Sequence, residues 1–310
     1  MSADRYGLYS ASFTHAGGSF DLTQLEGQSL SRNKAVRSVR PGGSLVATAH
    51  ILSTANPRFS FRTTDLLAFF TASSGEMFLA CSGGHVARYQ KKLAGGAFAS
   101  GSAHMLQTSS KGFLHVASID AEVDGTDGAS AVLEYIPLST DGQALPFATT
   151  VSQSLSGAPA PAFSSQYYMG GVWNGSSQVT GLKRISFQPG VMFTANRTDG
   201  GVFPHYNASS IGGYNPGIGL TFLDLGLPNA IGSDYLAVVG AAIKGYLQRG
   251  TTAADGRIAV ATTSHLKIAC TDASWGPDET TVDNENDGTV TIGVMPTSKL
   301  TATLGVAIGG

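Results

Sequence analysis

Apolar and polar side chains alternate through KRISFQPGVMFTANRTDGGVF, residues Lys183–Phe203, as they do in a half-buried β-strand. The alternation predicts an apolar face of Ile185, Phe187, Val191 and Phe193, and a polar face of Arg184, Ser186 and Gln188. Pro189–Gly190 interrupts the run and predicts a bend, a bulge or an edge position, because proline cannot donate a ladder hydrogen bond. Thr198–Gly201 then fits a turn better than a phosphate or metal loop. The stretch is therefore predicted to be sheet.

The composition of the whole chain favours the same structure. The 310 residues are only 13% charged and include 40 glycines, whereas an average soluble domain is roughly 25% charged. Such a chain suits short strands joined by turns. Further strands are predicted over Leu45–Leu52, Arg58–Arg62, Met77–Tyr89, Gly112–Val123, Ala131–Leu138, Ile218–Leu225, Ile258–Ala261, His265–Thr271, Thr289–Val294 and Leu300–Ile308. We expect a mostly β fold, a sandwich or barrel with long hairpins.

Two local patterns add detail to this fold. Asn174–Gly175, with apolar residues on both sides, predicts a tight hairpin turn. Thr64–Asp65 is typical of a helix cap and predicts one short flanking helix over Leu66–Ala72, followed by Gly75. Tyr235–Gln248 fits either a strand or an alanine-rich helix.

The chain divides most naturally near its start. Residues 1–20 are polar and glycine-rich without a clear period, so we expect an N-terminal arm or a mobile terminus followed by a β domain over 21–310. Ser152–Ser165 is rich in serine, glycine, alanine and proline, and fits either an internal division of that domain or a long loop.

Charge and hydropathy exclude several classes of protein. The formal net charge of −2 argues against sequence-independent binding of nucleic acid. The longest apolar segment, Tyr235–Ile243, is far below the ~20 residues that span a bilayer, so no membrane insertion is expected. The first residues lack a secretory signal, which favours synthesis in the cytoplasm. Cys81 and Cys270 lie far apart in the sequence and are predicted to be buried free thiols.

No motif in the chain predicts catalytic, cofactor-binding or metal-binding residues. Gly212–Phe222 lacks the Lys-Ser/Thr of a phosphate loop, and no G-x-S-x-G motif occurs. No two histidines have the i, i+4 spacing of a helical metal pair. The histidines are His15, His50, His85, His104, His115, His205 and His265.

Acidic and aromatic residues leave three alternatives open. Asp283–Gly288 has alternating acids before a glycine, but the twelfth position of a calcium loop would be Val294, so a solvated acidic turn is favoured over calcium. Asp120, Glu122 and Asp124 are interpreted as solvated acids at a strand end rather than as a hydrolytic pair. Sugar stacking is the alternative to burial for four aromatic residues, which are Tyr167, Tyr168, Trp173 and Trp275.

Two patches of the chain resemble the tail tube, or major tail, proteins of tailed bacteriophages. YYMGGVWNGSSQVTGLKRISFQPGVMFTANRTDGGVFP, Tyr167–Pro204, is similar in its Asn-Gly turn, its following strand and its Asp-Gly turn before an aromatic residue and proline. FSFRTTDLLAFFTAS, Phe59–Ser73, resembles the strand and short helix of those proteins.

The resemblance implies a virion structural protein without catalysis or cofactor. It implies a β-sandwich with a flanking helix, six copies of which form a ring whose hairpins line a closed barrel. Stacked rings would form a hollow tube that joins other tail proteins and conducts DNA without reading its sequence. The alternatives are a capsid decoration or tail terminator protein, and a carbohydrate-binding β protein with exposed Trp173 and Trp275.

Overall fold

Antiparallel sheet dominates the computed structural model: of the residues it describes, 66% lie in strands and 3% in a helix. The structure describes residues 5–31, 33–39, 42, 49–93, 97–123, 128–155, 166–197, 204–222, 242–251, 256–281 and 289–309. The predicted mostly β, sandwich-like fold is confirmed. The described strands form no closed barrel.

The strands and the helix are numbered in chain order. They are β1 Arg5–His15, β2 Gly18–Leu22, β3 Leu25–Ser31, β4 Lys34–Val39, β5 Ala49–Ala55, β6 Arg58–Thr63, α1 Leu66–Ala72, β7 Phe78–Cys81, β8 Gly84–Lys92, β9 His104–Ser109, β10 Gly112–Glu122, β11 Ser130–Pro137, β12 Ala148–Gln153, β13 Tyr167–Asn174, β14 Ser177–Val179, β15 Leu182–Gln188, β16 Val191–Asn196, β17 Ala208–Tyr214, β18 Gly217–Phe222, β19 Ile243–Arg249, β20 His265–Cys270, β21 Ala273–Thr281, β22 Thr289–Pro296 and β23 Thr301–Val306.

One layer of the sandwich is a nine-stranded sheet, and two five-stranded sheets cover one of its faces. The large sheet has the order β21-β22-β18-β15-β10-β11-β6-β3, and β7 also pairs with β10. The sheet β12-β9-β8-β1-β2 packs through Phe13, whose ring centroid lies 5.7 Å from that of Phe61. The sheet β14-β13-β19-β20-β23 approaches most closely at Gly245, where an added Cβ would lie 2.3 Å from Phe187 Cζ. All three sheets share one cluster of buried apolar side chains.

The helix has the predicted bounds and Asp65 is its N-cap residue, but the capping hydrogen bond expected from its side chain is not made. The Oδ2 atom of Asp65 instead accepts hydrogen bonds from the backbone N–H of Thr23 at 2.5 Å and of Gln24 at 2.8 Å. Asp65 therefore fixes the connection between β2 and β3. After the helix, Gly75 has a φ of +84° and accepts a hydrogen bond from Ala302 N at 2.9 Å, which ties α1 to β23.

The described part of the expected N-terminal arm belongs to the sandwich. β1 and β2 form a hairpin, and β1 also pairs with β8. Phe13 and Leu22 are fully buried. The sequence does not predict β1, because a register shift between Leu8 and Ser10 breaks the alternation of apolar and polar residues. In addition, a serine, Ser10, occupies a buried position of the strand.

Several predicted strands differ from the structure in detail. The predicted strand Met77–Tyr89 is divided into β7 and β8 by a turn at Ser82–Gly83, and β8 begins at Gly84, whose φ is +76°. The predicted strand Ile258–Ala261 is wrong, since these residues lie in irregular structure and a turn. Residues 45–48, 223–225 and 235–241 of other predicted elements lie outside the described residues, and Ile243–Arg249 is strand rather than helix.

The segment proposed as a division lies mostly outside the described residues, because only 152–155 are described. Tyr135 and Tyr167, on either side of it, belong to the same core cluster. Both Cys81 and Cys270 are free and buried, as predicted. None of the helical structure described has the length and apolar character needed to cross a bilayer.

Candidate assembly interface

Two long hairpins run past the same end of the nine-stranded sheet. β6 and β10 are parallel, since each is antiparallel to β11, and β18 is parallel to β10 through β15. Both hairpins leave the sheet where β6 and β18 begin. The first continues from β3 and β6 into the pair β4 and β5, here called the first ribbon. The second continues from β15 and β18 into β16 and β17, the second ribbon.

The predicted bend at Pro189–Gly190 is confirmed. Gly190 has a φ of +58°, and an added Cβ there would lie 1.8 Å from Asn215 O. The backbone N–H of Asn215 donates to Gly190 O at 2.8 Å, which closes the bend across the hairpin. Only glycine fits this close approach in a left-handed conformation.

The bend also overturns the single apolar face predicted for this stretch. Ile185 and Phe187 are buried in the core. Phe193 instead packs 5.4 Å from Phe113 and 4.7 Å from His115, between ring centroids. Those two rings lie on the opposite face of β10 from the core residue Leu114, because side chains alternate along a strand. The second ribbon therefore folds against the outer face of the sheet.

The first ribbon is exposed on both faces, and the second contacts the sheet through Phe193 without burying a side chain. None of the described side chains of β4, β5, β16 or β17 is buried. Val36 and Leu52 are cross-strand partners on the first ribbon and are 49% and 37% exposed. An isolated two-stranded hairpin is marginally stable in water, and open strand edges are templates for pairing with another chain. The ribbons therefore have the properties of an incomplete interface.

A pocket of about 190 Å³ lies at the root of the first ribbon. Its lining is formed by Lys34, Leu52, Ala55, Pro57, Leu145, Pro146, Phe147 and His205. The backbone N–H of Ala55 donates to Pro204 O at 2.9 Å, so the connection between β16 and β17 closes one side of the pocket.

Charged side chains on the outer face of the nine-stranded sheet are paired with one another. Arg184 Nη2 lies 2.7 Å from Asp120 Oδ1, and Arg184 Nε lies 3.7 Å from Glu122 Oε1. The adjacent His115 imidazole, assisted by Arg58, holds the pKa of Glu134 below its usual value. Asp120 and Glu122 are thus partners of an arginine, and Asp124 lies outside the described residues. Half-exposed pairs of this kind contribute about 0–1 kcal/mol each.

One buried histidine has the contacts of a nucleophile–base pair without access to substrate. His85 Nδ1 lies 2.8 Å from Ser109 Oγ, which lies 2.5 Å from the Tyr135 hydroxyl. His85 is 1% exposed and packs 5.0 Å from the ring of Phe59. Burial lowers the pKa of His85 to about 3. A neutral, enclosed imidazole in the core cannot reach a substrate.

The other candidate sites are not assembled in the described structure. Within the described ranges, no group of three or more His, Cys, Asp or Glu side chains could hold a metal ion. Asp283–Gly288 lies outside the described residues. Trp173 is only 9% exposed and packs 4.9 Å from the ring of Tyr246, so the proposed sugar platform on Trp173 is wrong. The side chain of Trp275 is outside the described part of the chain.

No protein-family model matches the chain, and a search of curated proteins finds no match either.

Proposed function

We propose that this chain is a self-assembling virion subunit of the tail tube type, whose copies form six-membered rings that stack into a hollow tube for DNA delivery. The observation that carries the proposal is the pair of ribbons that leave the sheet at one end with no described side chain buried. The resemblance of Tyr167–Pro204 and Phe59–Ser73 to tail tube proteins supplies the class of assembly.

The physical reason for assembly is the cost of leaving the ribbons uncovered. Ordering the backbone on folding costs roughly 1–2 kcal/mol of conformational entropy for each ribbon residue, and burial of apolar side chains normally offsets that cost. Neighbouring copies would supply this burial and would pair the open edges. Ring formation closes such contacts, because each copy presents two different surfaces to its two neighbours.

The proposed role needs no catalysis and no cofactor. Its partners are further copies of the chain, other tail proteins and DNA that passes through the lumen without sequence-specific binding. A moving polyanion favours a lumen without strong positive charge, and the chain has 19 Lys and Arg against 21 Asp and Glu. The proposed location is the virion tail, after synthesis in the host cytoplasm.

The test is the assembly state of the purified chain at increasing concentration. We expect six-membered rings or hollow tubes in negative-stain micrographs, together with a concentration-dependent sedimentation coefficient. Val36→Lys places a charge on the first ribbon and is expected to raise the half-assembly concentration about tenfold or more, since about 1.4 kcal/mol is a factor of ten.

Val123→Lys is the matched control, because Val123 is 44% exposed and follows β10 at the opposite end of the sheet. Both variants should unfold at the urea concentration of the parent chain. A chain that remains monomeric at millimolar concentration would refute the proposed function. Equal effects of the two lysines would refute the role of the ribbon.

A further inference from the structure

The pocket at the root of the first ribbon is a preformed feature of the fold. One wall is Phe147, whose ring packs edge-on against the core residue Phe59 at 5.2 Å. Another wall is His205, whose backbone N–H donates to Gly142 O at 3.3 Å. Backbone hydrogen bonds and core packing therefore hold the walls apart, so the space does not depend on a chance side-chain rotamer.

The size of the pocket limits what can occupy it. Sites for drug-sized ligands are about 300–1,000 Å³, whereas an apolar cavity of about 150 Å³ holds one benzene. A volume of about 190 Å³ therefore fits a single apolar side chain. Leu145 stands at the rim with 75% of its surface exposed, so the lining continues into an apolar surface.

One polar atom in the pocket lining has no hydrogen-bond partner among the described residues. His205 is 5% exposed, and among the described residues its buried Nδ1 atom has no hydrogen-bond partner. Buried polar atoms normally have a partner, so an orphan at a pocket wall is typical of a site that another molecule completes. Burial lowers the pKa of His205, which favours its neutral ring.

A second copy of the chain offers a matching side chain. Met295 is 61% exposed and lies at the end of β22. Its neighbour Val294 pairs with Ile218 near the start of β18, so Met295 lies at the same end of the sheet as Pro57, which precedes β6. β22 and β6 are five strand spacings apart, which is about 24 Å at ~4.8 Å each. Met295 thus cannot fill the pocket of its own subunit.

We infer that the pocket is a socket for Met295 of a neighbouring copy, and that this contact joins adjacent subunits side by side. Socket and methionine lie towards opposite edges of one sheet and at the same end of it. A contact between two such different surfaces repeats in one direction and closes into a ring when the rotation allows. Methionine is unbranched and polarizable, and it fills irregular apolar spaces well. The inference rests on the proposed function and adds the partner and the contact to it.

Disulfide trapping between two variants, each with one added cysteine, tests the contact. Met295→Cys and Leu145→Cys chains are mixed under mild oxidation, and covalent dimers are measured on non-reducing gels. The native Cys81 and Cys270 are buried and do not interfere. We expect dimers to form about a hundredfold faster than from either variant alone, because contact raises the effective thiol concentration from micromolar towards millimolar. Val260→Cys mixed with Leu145→Cys is the matched control, since Val260 is also exposed, at 52%.

The outcomes separate the two proposals. Rapid trapping of the Met295→Cys and Leu145→Cys mixture, with slow trapping of the control, supports the socket. Rings or tubes that form without this cross-link overturn the socket and leave the proposed function standing. A chain that forms neither rings nor tubes overturns both. Met295→Leu should assemble normally and Met295→Asp should not, and equal assembly of these two variants would also overturn the socket.

Discussion

Replacing Asp65 tests whether its carboxylate caps the helix or fixes the connection between β2 and β3. In the structure Asp65 Oδ2 accepts two backbone hydrogen bonds, from Thr23 and Gln24, and the residue is buried. Asp65→Ala removes the carboxylate oxygen that both backbone N–H groups donate to. Each unsatisfied buried donor costs about 1–3 kcal/mol, so the free energy of unfolding should fall by about 4 kcal/mol.

Asp65→Ser distinguishes the two roles, because serine is as good a helix cap as aspartate. Its hydroxyl is one bond shorter and cannot reach the backbone of Thr23. We therefore expect Asp65→Ser to lose nearly as much stability as the alanine variant. Asp65→Asn should lose about 2 kcal/mol, because its amide oxygen can still accept both hydrogen bonds but carries no charge.

The assay is urea unfolding of the parent chain and the three variants, followed by circular dichroism. Glu122→Ala is the control, since removal of an exposed acid should change stability by less than about 1 kcal/mol. If the serine variant matches the parent and the alanine variant loses only about 1 kcal/mol, then Asp65 acts as a cap and the bridging argument is wrong.

Three further predictions concern buried or constrained residues. Burial lowers the pKa of His85 in the folded chain to about 3, whereas the pKa in the unfolded chain is about 6.5. Below pH 6.5 the unfolded chain therefore binds a proton that the folded chain does not bind. The free energy of unfolding should fall by up to about 1.4 kcal/mol per pH unit between about pH 6.5 and pH 3. In His85→Leu the unfolding free energy should lose about 2 kcal/mol less between pH 6.5 and pH 5 than in the parent, and parallel curves would contradict this. Burial raises the pKa of both thiols, to about 12 for Cys81. Cys81 and Cys270 should therefore react with a thiol reagent at pH 8 only in denaturant. A rapid reaction of the folded chain would contradict their burial. Gly190→Ala should destabilise the chain by more than about 2 kcal/mol, because a left-handed φ costs roughly 1–2 kcal/mol before the overlap with Asn215 is added. Gly217→Ala is the control, since the atom nearest to a Cβ added at Gly217 is 3.8 Å away. Similar losses of stability in both variants would refute the argument that the bend requires glycine.

Alternation was a sufficient guide where it was unbroken. Phe59 and Phe61 are fully buried, as their spacing predicted, and the helix at Leu66–Ala72 has the predicted bounds. Strand positions failed where a bulge shifts the period, as at Leu8, or where serine takes a buried position, as at Ser10. A bulge depends on pairing with a distant strand, so local periodicity does not contain it.

The candidate interface was only partly predictable for the same reason. Pro189–Gly190 indicated a bend, but the face against which Phe193 packs depends on β10, more than 70 residues earlier in the chain. The first ribbon was missed apart from Leu45–Leu52, whose described part begins at Ala49. The pocket was not predicted at all, since its walls come from segments that only the tertiary fold brings together.

The link between α1 and β23 has a consequence for how the chain is made. Gly75 O accepts its hydrogen bond from Ala302 N, and Lys299 Nζ lies 2.8 Å from Glu76 Oε1. At synthesis rates of about 5–20 residues per second, Lys299 and Ala302 are synthesised roughly 10–50 s after Gly75 and Glu76. The contact between α1 and β23 therefore forms only after the last described strand has been translated, when both ribbons have already been synthesised.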